Sequence, residues 1–438
     1  MEKYFTLFKL GINYLYRYRR RYYFLLAALI FGFTVVTFIT STKDAMYENV
    51  YYSAQSHYAG DIVALGHEYQ NTGGFIYHLG QNEISAILKA ADQAGIMPQY
   101  TVFRTLFTSN VFLHFNGEAI QLKDLVGCDW ERESHIFSKV TFEYPPQEVL
   151  DDEGIIISLP VAQQLGAELG DSIILELNTR YGQRNTSVFI VRGIVQDTSI
   201  FGYYKAYISR LAHNRMVLFD DDDCSSIGFF LHNPDTAEQQ RQRLQNYLST
   251  YTQTGPLVYD RDGFFNERNR EWEGNLVFLY TMPVYLSEIA YLLNAMNLIT
   301  YFIYGMMLIT ILVSANVTYR LILQERSKEM GVMRSIGFYG NDLRLILLTE
   351  IIVLGIIAII TGFLLARLPS WLVSLMSFSW FPGFNIFMNN GKLTSMYLAS
   401  TMLINIVLLI LILVILSLHQ SFRIVHKKLP ELLSGEPL

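Results

Sequence analysis

Four long apolar runs constrain this chain more than anything else in it. Crossing a bilayer as a helix takes about 20 residues, and each run supplies them. The first is YYFLLAALIFGFTVVTFIT, Tyr22 to Thr40. The second lies in the charge-free run Ile289 to Tyr319, and the fourth in the charge-free run Leu393 to Phe422. The third, Leu345 to Ala366, is interrupted only by Glu350. One such run could be a buried core helix; four together are read as membrane helices over 22–42, 289–319, 345–367 and 393–422. The first is too long for a signal-peptide core and has no clean small-residue cleavage site after it, so it reads as a retained anchor.

The rest of the chain is not membrane-like. Overall 51% of residues are hydrophobic and 16% charged, and mean hydropathy is only +0.24. That mixture requires a sizeable water-exposed part. Residues 43–288 supply it, with a mixed α+β pattern and enough length for a core of their own. GDIVAL, from Gly60, reads as a strand and NEISAILKAAD as a helix. SNVFLHFNGEAIQL alternates around Asn116-Gly117, a hairpin signal. EGIIISLPVAQQLGAELGDSIILEL reads strand, short helix, turn, strand, and SVFIVRGIV is a further strand. Asp235 and Glu238 have capping-box spacing for the helix in DTAEQQRQRLQNYL. The fold expected is an α-helical membrane protein with four spans and a large extracytoplasmic α+β domain between the first and second.

Orientation follows from lysine and arginine. Lys3, Lys9, Arg17, Arg19, Arg20 and Arg21 precede the first span; Arg320, Arg326, Lys328, Arg334 and Arg344 lie between the second and third; Arg423, Lys427 and Lys428 follow the fourth. Between the third and fourth spans, around the short loop 368–392, stand only Arg367 and Lys392. Positive charge stays inside, so both termini (1–21 and 423–438) and the segment 320–344 are expected in the cytoplasm. Residues 1–21 place Phe5, Phe8, Ile12 and Leu15 at helical spacing among basic residues, as in an amphipathic helix on the inner leaflet. The charge-free runs of about 30 residues give about 45 Å of helix, more than a bilayer needs. The second span is therefore expected to continue outward as a stalk, and the first to do the same beyond Thr40.

Chemistry is sparse. No phosphate-binding G-x-x-x-x-G-K-[ST] occurs, HEYQN at His67 lacks the second histidine of a zinc-protease motif, and no G-x-S-x-G is present. DDDDC from Asp220 lacks the spacing of a calcium loop and reads as a solvated acidic turn. The net charge of −6 gives no reason to expect nucleic acid. Cys128 and Cys224 both fall in the outer segment, where an oxidising compartment would permit a disulfide; two buried free thiols are the alternative. Glu350 in a membrane helix is a functional candidate. Near the cytoplasmic end it could reach interfacial water or Arg344, which favours a structural or hinge role over proton relay. Gly355 and Gly362 on the same helix allow close packing.

The gap LQERSKEMGVMRSIGFYGNDL, from Leu323, is too charged for lipid and too apolar for a solvated linker. A short cytoplasmic helix docking into a groove on a partner fits it. Here the chain resembles the FtsX-like/MacB-like ABC permease family. ERSKEMGVMRSIGFYGNDLRLILLTEIIVLGIIAIITGFL looks like that family's signature, with Met330 where Ile is usual and Met333 and Ser335 replacing Leu and Ala. The basic lead into the first span, EGIIISLPVAQQLGAELGDSIILEL with FIVRGIV, and the tail SFRIVHKKLPELLSGEPL also resemble the family, in its order.

The resemblance implies a non-catalytic subunit, with no cofactor in this chain. A separate cytoplasmic ATPase, two copies per assembly, would bind ATP and Mg. A second permease subunit, identical or related, would complete the dimer in the bacterial inner membrane. Glu325, Arg326, Lys328, Glu329, Met330, Gly331, Met333, Arg334 and Gly337 would form the coupling helix seated on the ATPase. Size and layout resemble the lipoprotein-releasing (Lol-type) permeases, which implies lipoprotein release by mechanotransmission, with a lipid pocket at Val35, Phe38, Ile39, Met46, Leu292, Met296 and Ile299. VGCDW is similar to a turn of their outer domain, with Trp130 replacing Pro. The hairpin ELNTRYGQRNTSVFIV is shorter than the hooked loop with which one such permease recruits a periplasmic carrier. The other family branches imply efflux of a peptide, macrolide or other amphiphile, or signalling to a cell-wall hydrolase.

Overall fold

In the computed structural model of the chain, the residues described are 2–70, 74–107, 110–146, 150–196, 202–268, 272, 274–378, 387–388 and 391–426. In order they form α1 (Glu2–Arg17), α2 (Arg19–Tyr58), β1 (Ile62–Gln70), β2 (Gly74–Ile76), α3 (Gln81–Gln93), β3 (Tyr100–Phe107), β4 (Phe112–Phe115), β5 (Glu118–Gln121), β6 (Asp124–Cys128), α4 (Ser134–Phe137), β7 (Phe142–Tyr144), β8 (Gly154–Ser158), α5 (Leu159–Leu165), β9 (Ser172–Asn178) and β10 (Arg184–Val195). Then follow β11 (Lys205–Ser209), α6 (Arg210–Val217), β12 (Ser226–Phe230), α7 (Ala237–Leu248), α8 (Arg261–Arg268), β13 (Asn275–Thr281), α9 (Met282–Leu286), α10 (Ala290–Glu325), α11 (Ser327–Ser335), α12 (Gly340–Ser374) and α13 (Ala399–His426).

Two units divide the chain. The first is helical and holds Met1–Tyr47, Leu293–Ser377 and Lys392–Leu438; the second holds Glu48–Leu292 and Phe378–Gly391. Among the described residues four helices are long and apolar enough to cross a membrane: α2, α10, α12 and α13. α2 runs past the expected 42 to Tyr58, and α10 continues to Glu325. α13 starts later than the expected 393, at Ala399; before it, Met396 N–H bonds Ser41 O instead of continuing a helix backward. Most of the basic tail lies outside the described residues.

The helical unit packs where small residues allow it. A Cβ on Gly362 would lie 3.1 Å from Ile30 O, and one on Gly355 2.7 Å from Leu413, so both glycines of α12 sit at close helix contacts. Tyr22, Leu29, Phe33, Ile311, Leu354 and Leu413 belong to one buried cluster drawn from α2, α10, α12 and α13. α1 packs one side on α12, with Gly11 against Thr349 and Lys3 paired to Asp342 at 2.8 Å. Its Phe5, Phe8 and Ile12 stay exposed.

In the second unit the described strands form one mixed sheet in the order β13-β1-β12-β3-β6-β11-β8-β10-β9-β4-β5, with β2 beside β1 and β7 beside β10. β6–β11 and β8–β10 pair parallel. The local code is legible. β8 is buried throughout, as a strand covered on both faces should be. β9 alternates, with Ile173, Leu175 and Leu177 inward. α5 starts with Pro160 in its first turn and stops at Gly166, which has φ +65. The β4–β5 turn puts Asn116 at φ 50 and Gly117 at φ 87, the left-handed pair that a two-residue hairpin needs. One local reading is corrected. Asn233, not Asp235, caps the start of the segment before α7 by accepting Asp235 N–H, while the Glu238 carboxylate accepts from Arg241 and Gln242.

Candidate functional site

α11 sits between two breaks in helical backbone. Arg326 precedes it at φ −96, ψ 2, and Gly337 follows it at φ +102, a conformation that side-chain-bearing residues rarely adopt. The charged and apolar residues expected to face a partner together divide between an exposed and a buried side. Glu325, Lys328, Val332, Ser335 and Ile336 are exposed, and so is Tyr339 just beyond. Within α11 itself Lys328, Val332 and Ser335 stand at helical spacing on one face. Met330, Gly331 and Met333 point inward instead, with Met330 in the cluster that holds Tyr22 and Leu347. Glu329 and Arg334 are half-buried; Glu329 accepts from Tyr18 Oη at 2.8 Å, and Arg334 Nη1 contacts Val425 O at 3.4 Å.

Arg326 departs furthest from expectation. Only 1% of it is exposed. Its Nη1 donates to Glu350 Oε2 at 2.7 Å and to Tyr22 Oη at 2.8 Å, and Tyr22 Oη donates to the same carboxylate oxygen at 2.6 Å. The guanidinium also lies over the rings of Tyr14 and Tyr18, 5.0 and 5.5 Å from their centroids. Arg326 is therefore an internal anchor, not a docking residue. Glu350 is fully buried and its partner is Arg326; Arg344 instead donates to Asn341 and lies over Phe422. The physical reason is direct: an intramembrane carboxylate needs a cation, and Arg326 stands at the same inward helical spacing as Met330 and Met333. That spacing, together with an unpaired Glu350, was the available signal.

The α2 residues expected at a lipid pocket lie beside the packed face of that helix. Phe33, Val36, Thr37 and Thr40 are buried; Val35, Phe38, Ile39 and Met46 are half-buried beside them. On α10, Met296 is half-buried and Ile299 exposed. Leu292, also exposed, falls in the second unit. A polar ladder that the sequence reading missed lies at this level. Asn405 Nδ2 donates to Thr40 Oγ1 at 3.0 Å, and Tyr304 Oη to Asn405 Oδ1 at 3.2 Å.

In the second unit both cysteines are free and buried. Burial pushes the Cys224 thiol up to about 12 and the Cys128 thiol well above its usual range. Cys128 borders a cleft of about 490 Å³ with Asp129, Trp130 and Ser209, but a protonated thiol is a poor nucleophile. The acidic turn is structured: Arg210 and Asn214 take the carbonyls of Asp221 and Asp223, and Asn214 takes that of Asp220. Asp223 and Glu68 grip the two nitrogens of His78 at 2.9 and 2.8 Å.

Residues 301–429, which include α11 and its anchor, match the family model of the FtsX-like permease C-terminal domain. This part of the chain is similar to the C-terminal domain of FtsX-like permeases. No curated protein matches the chain. Among solved structures, the periplasmic region of MacB from Actinobacillus actinomycetemcomitans is similar at 10% identity, covering 44% of this chain and 87% of that one, with a TM-score of 0.29. A domain assigned to a permease protein from Porphyromonas gingivalis is similar at 12% identity, covering 51% and 90%, also with a TM-score of 0.29. The matched stretch takes in α11, α12, α13 and α10 from residue 301 onward, while α2 lies outside it.

Proposed function

We propose that the chain is the membrane subunit of an ABC transporter in the bacterial inner membrane, driven by a separate ATPase chain and working by mechanotransmission. The ATPase seats on the exposed residues of α11, Lys328, Val332 and Ser335, with Glu325 before it and Ile336 and Tyr339 after it. The observation that carries this reading is a charged, partly apolar helix between two spans of a stretch similar to FtsX-like permeases. An apolar stripe on a polar loop fits a protein groove better than water. Basic residues before α2 and around α11 favour a cytoplasmic side for both. Residues 48–292 then lie outside, and a second permease subunit completes the assembly.

The cargo proposed is a lipoprotein, lifted from the outer leaflet. Val35, Phe38, Ile39, Met46, Leu292, Met296 and Ile299 are the residues offered for its acyl chains, since adaptable Met and Phe suit them. The test is co-purification in mild detergent, with mass spectrometry of everything bound. An ATPase with acylated lipoproteins supports the whole reading. An ATPase with a small amphiphile, or with a cell-wall hydrolase, keeps the coupling and replaces the cargo. Absence of any ATPase sinks the reading. Photo-crosslinkers at Phe38 and Met296 should capture lipoprotein; capture of bulk phospholipid alone removes the pocket.

A further inference from the structure

We infer that Arg326 is a positioning residue that makes α11 and the α1–α2 junction move as one body. The inference rests on the docking reading of α11 and goes one step further, to what happens to a push received there.

The geometry is a polar chain across the helical unit. Tyr18, between α1 and α2, donates to Glu329 of α11. Glu329 Oε2 lies 3.6 Å from Arg326 Nε. Arg326 Nη1 reaches Tyr22, in the first turn of α2, and Glu350 of α12. Arg21 of α2 meets Glu325 at 3.2 Å. One buried guanidinium thus joins the root of α11 to α2 and α12. Flanking pairs tie both ends of the α1–α2 junction to the same segment.

Position matters as much as bonding. Arg326 stands at the backbone break before α11, where a helix pushed from its exposed face would pivot. A pivot with no lateral tie would let α11 swing alone, leaving α2 behind. A buried charged hydrogen bond resists that, because in a low-dielectric surrounding an unmade one is costly. The anchor is also not saturated. Arg326 Nε, Glu329 Oε2 and Glu350 Oε1 are buried without hydrogen-bond partners, so small movements can change partners without exposing a charge to lipid. α2 is one unbroken helix from Arg19 to Tyr58, and such a helix carries displacement along its length.

The test uses the full chain with its co-purified ATPase in lipid nanodiscs. Spin labels go on Lys328→Cys in α11 and Tyr23→Cys in α2. Lys328 belongs to the docking stripe, so ATPase binding is first compared between labelled and unlabelled chains. If the label displaces the ATPase, the partner-free widths alone judge the anchor. Both native side chains are exposed, and the native thiols are buried. The native distance distribution is expected to be narrow and the same with and without nucleotide. Tyr22→Phe keeps the ring and removes the tie to α2; Glu350→Gln removes the carboxylate. Either should broaden the distribution, and nucleotide should then shift it, while the ATPase stays bound. A native distance that changes with nucleotide overturns the inference, as does a narrow, nucleotide-independent distance in both variants. Loss of ATPase from the native complex would count against the docking reading instead; the partner-free width still judges the anchor.

Discussion

Among the described residues two arginine–glutamate pairs are buried, one in each unit, and they are built differently. In the sheet unit Arg104 and Glu133 are both at most 1% exposed. Arg104 Nε and Nη2 donate to the Glu133 carboxylate at 2.6 to 3.1 Å, and Nη1 donates to Ser56 O and His57 O at 3.0 and 2.8 Å. That is a fork-to-fork pair whose remaining N–H groups cap the last carbonyls of α2. In the helical unit Arg326 and Glu350 meet through one nitrogen and one oxygen, and leave Nε and Oε1 without hydrogen bonds. A saturated pair has one low-energy arrangement. An unsaturated pair with a second carboxylate, Glu329, nearby has alternatives. The first suits a staple and the second suits a joint.

That contrast can be broken most directly at Glu133. Glu133→Ala leaves Arg104 buried without its carboxylate, so the sheet unit should lose about 3–5 kcal/mol, read as a shift of the β-structure melt of the full chain. A loss as small as a surface substitution's would end the staple reading. Glu350→Gln should cost less, about 1–2 kcal/mol, because the amide still accepts from Arg326 and Glu329 can take up its charge. If Glu350→Gln proves as costly as Glu133→Ala, the two pairs are equivalent and the joint is not one.

His78 gives a smaller and pH-dependent effect. Burial opposes its charge, but the hydrogen bonds its ring N–H groups donate to Glu68 and Asp223 outweigh burial and raise its pKa. Its stabilisation is therefore full below about pH 6.5 and is lost as pH rises through the raised folded value. Glu68 behaves oppositely. The hydrogen bond to His78, with Arg180 adding to it, lowers its pKa, so its share is present above about pH 4.3 and fades on acidification below that. The sheet-unit melt should plateau between these limits and fall at higher pH, and His78→Gln should flatten the upper arm. A native melt that stays flat above about pH 6.5 would show that the cluster stores no such energy. The smallest stability change belongs to the α11 stripe. Val332→Ser with Ile336→Ser should alter melting by about 0.5 kcal/mol or less, yet remove the ATPase from the purified complex. Full retention of the ATPase would move the docking face elsewhere.

How far the sequence could be read differs between the units for the same reason. Strand β9, helix α5 and the Asn116-Gly117 hairpin were legible because their signals are local: alternation, a proline start with a glycine stop, and a left-handed turn pair. The Asp235–Glu238 box failed because Glu238 found a better partner in Arg241, one helical turn on. Arg326 failed for a larger reason. In a one-dimensional reading a charge between two spans counts as surface, since nothing local shows that a carboxylate 24 residues further on will be brought to it.

By itself the sequence determined four long apolar helices, a separate α+β segment and a short charged helix between spans, because hydropathy length and periodicity act within one segment. Only the tertiary structure decided which face of that short helix is free. It turned Met330, Met333 and Arg326 inward and left Lys328, Val332 and Ile336 outside. The deciding force is the cost of burying Glu350 alone: the helices pack so that its charge meets the guanidinium able to reach it, and the exposed stripe is what remains.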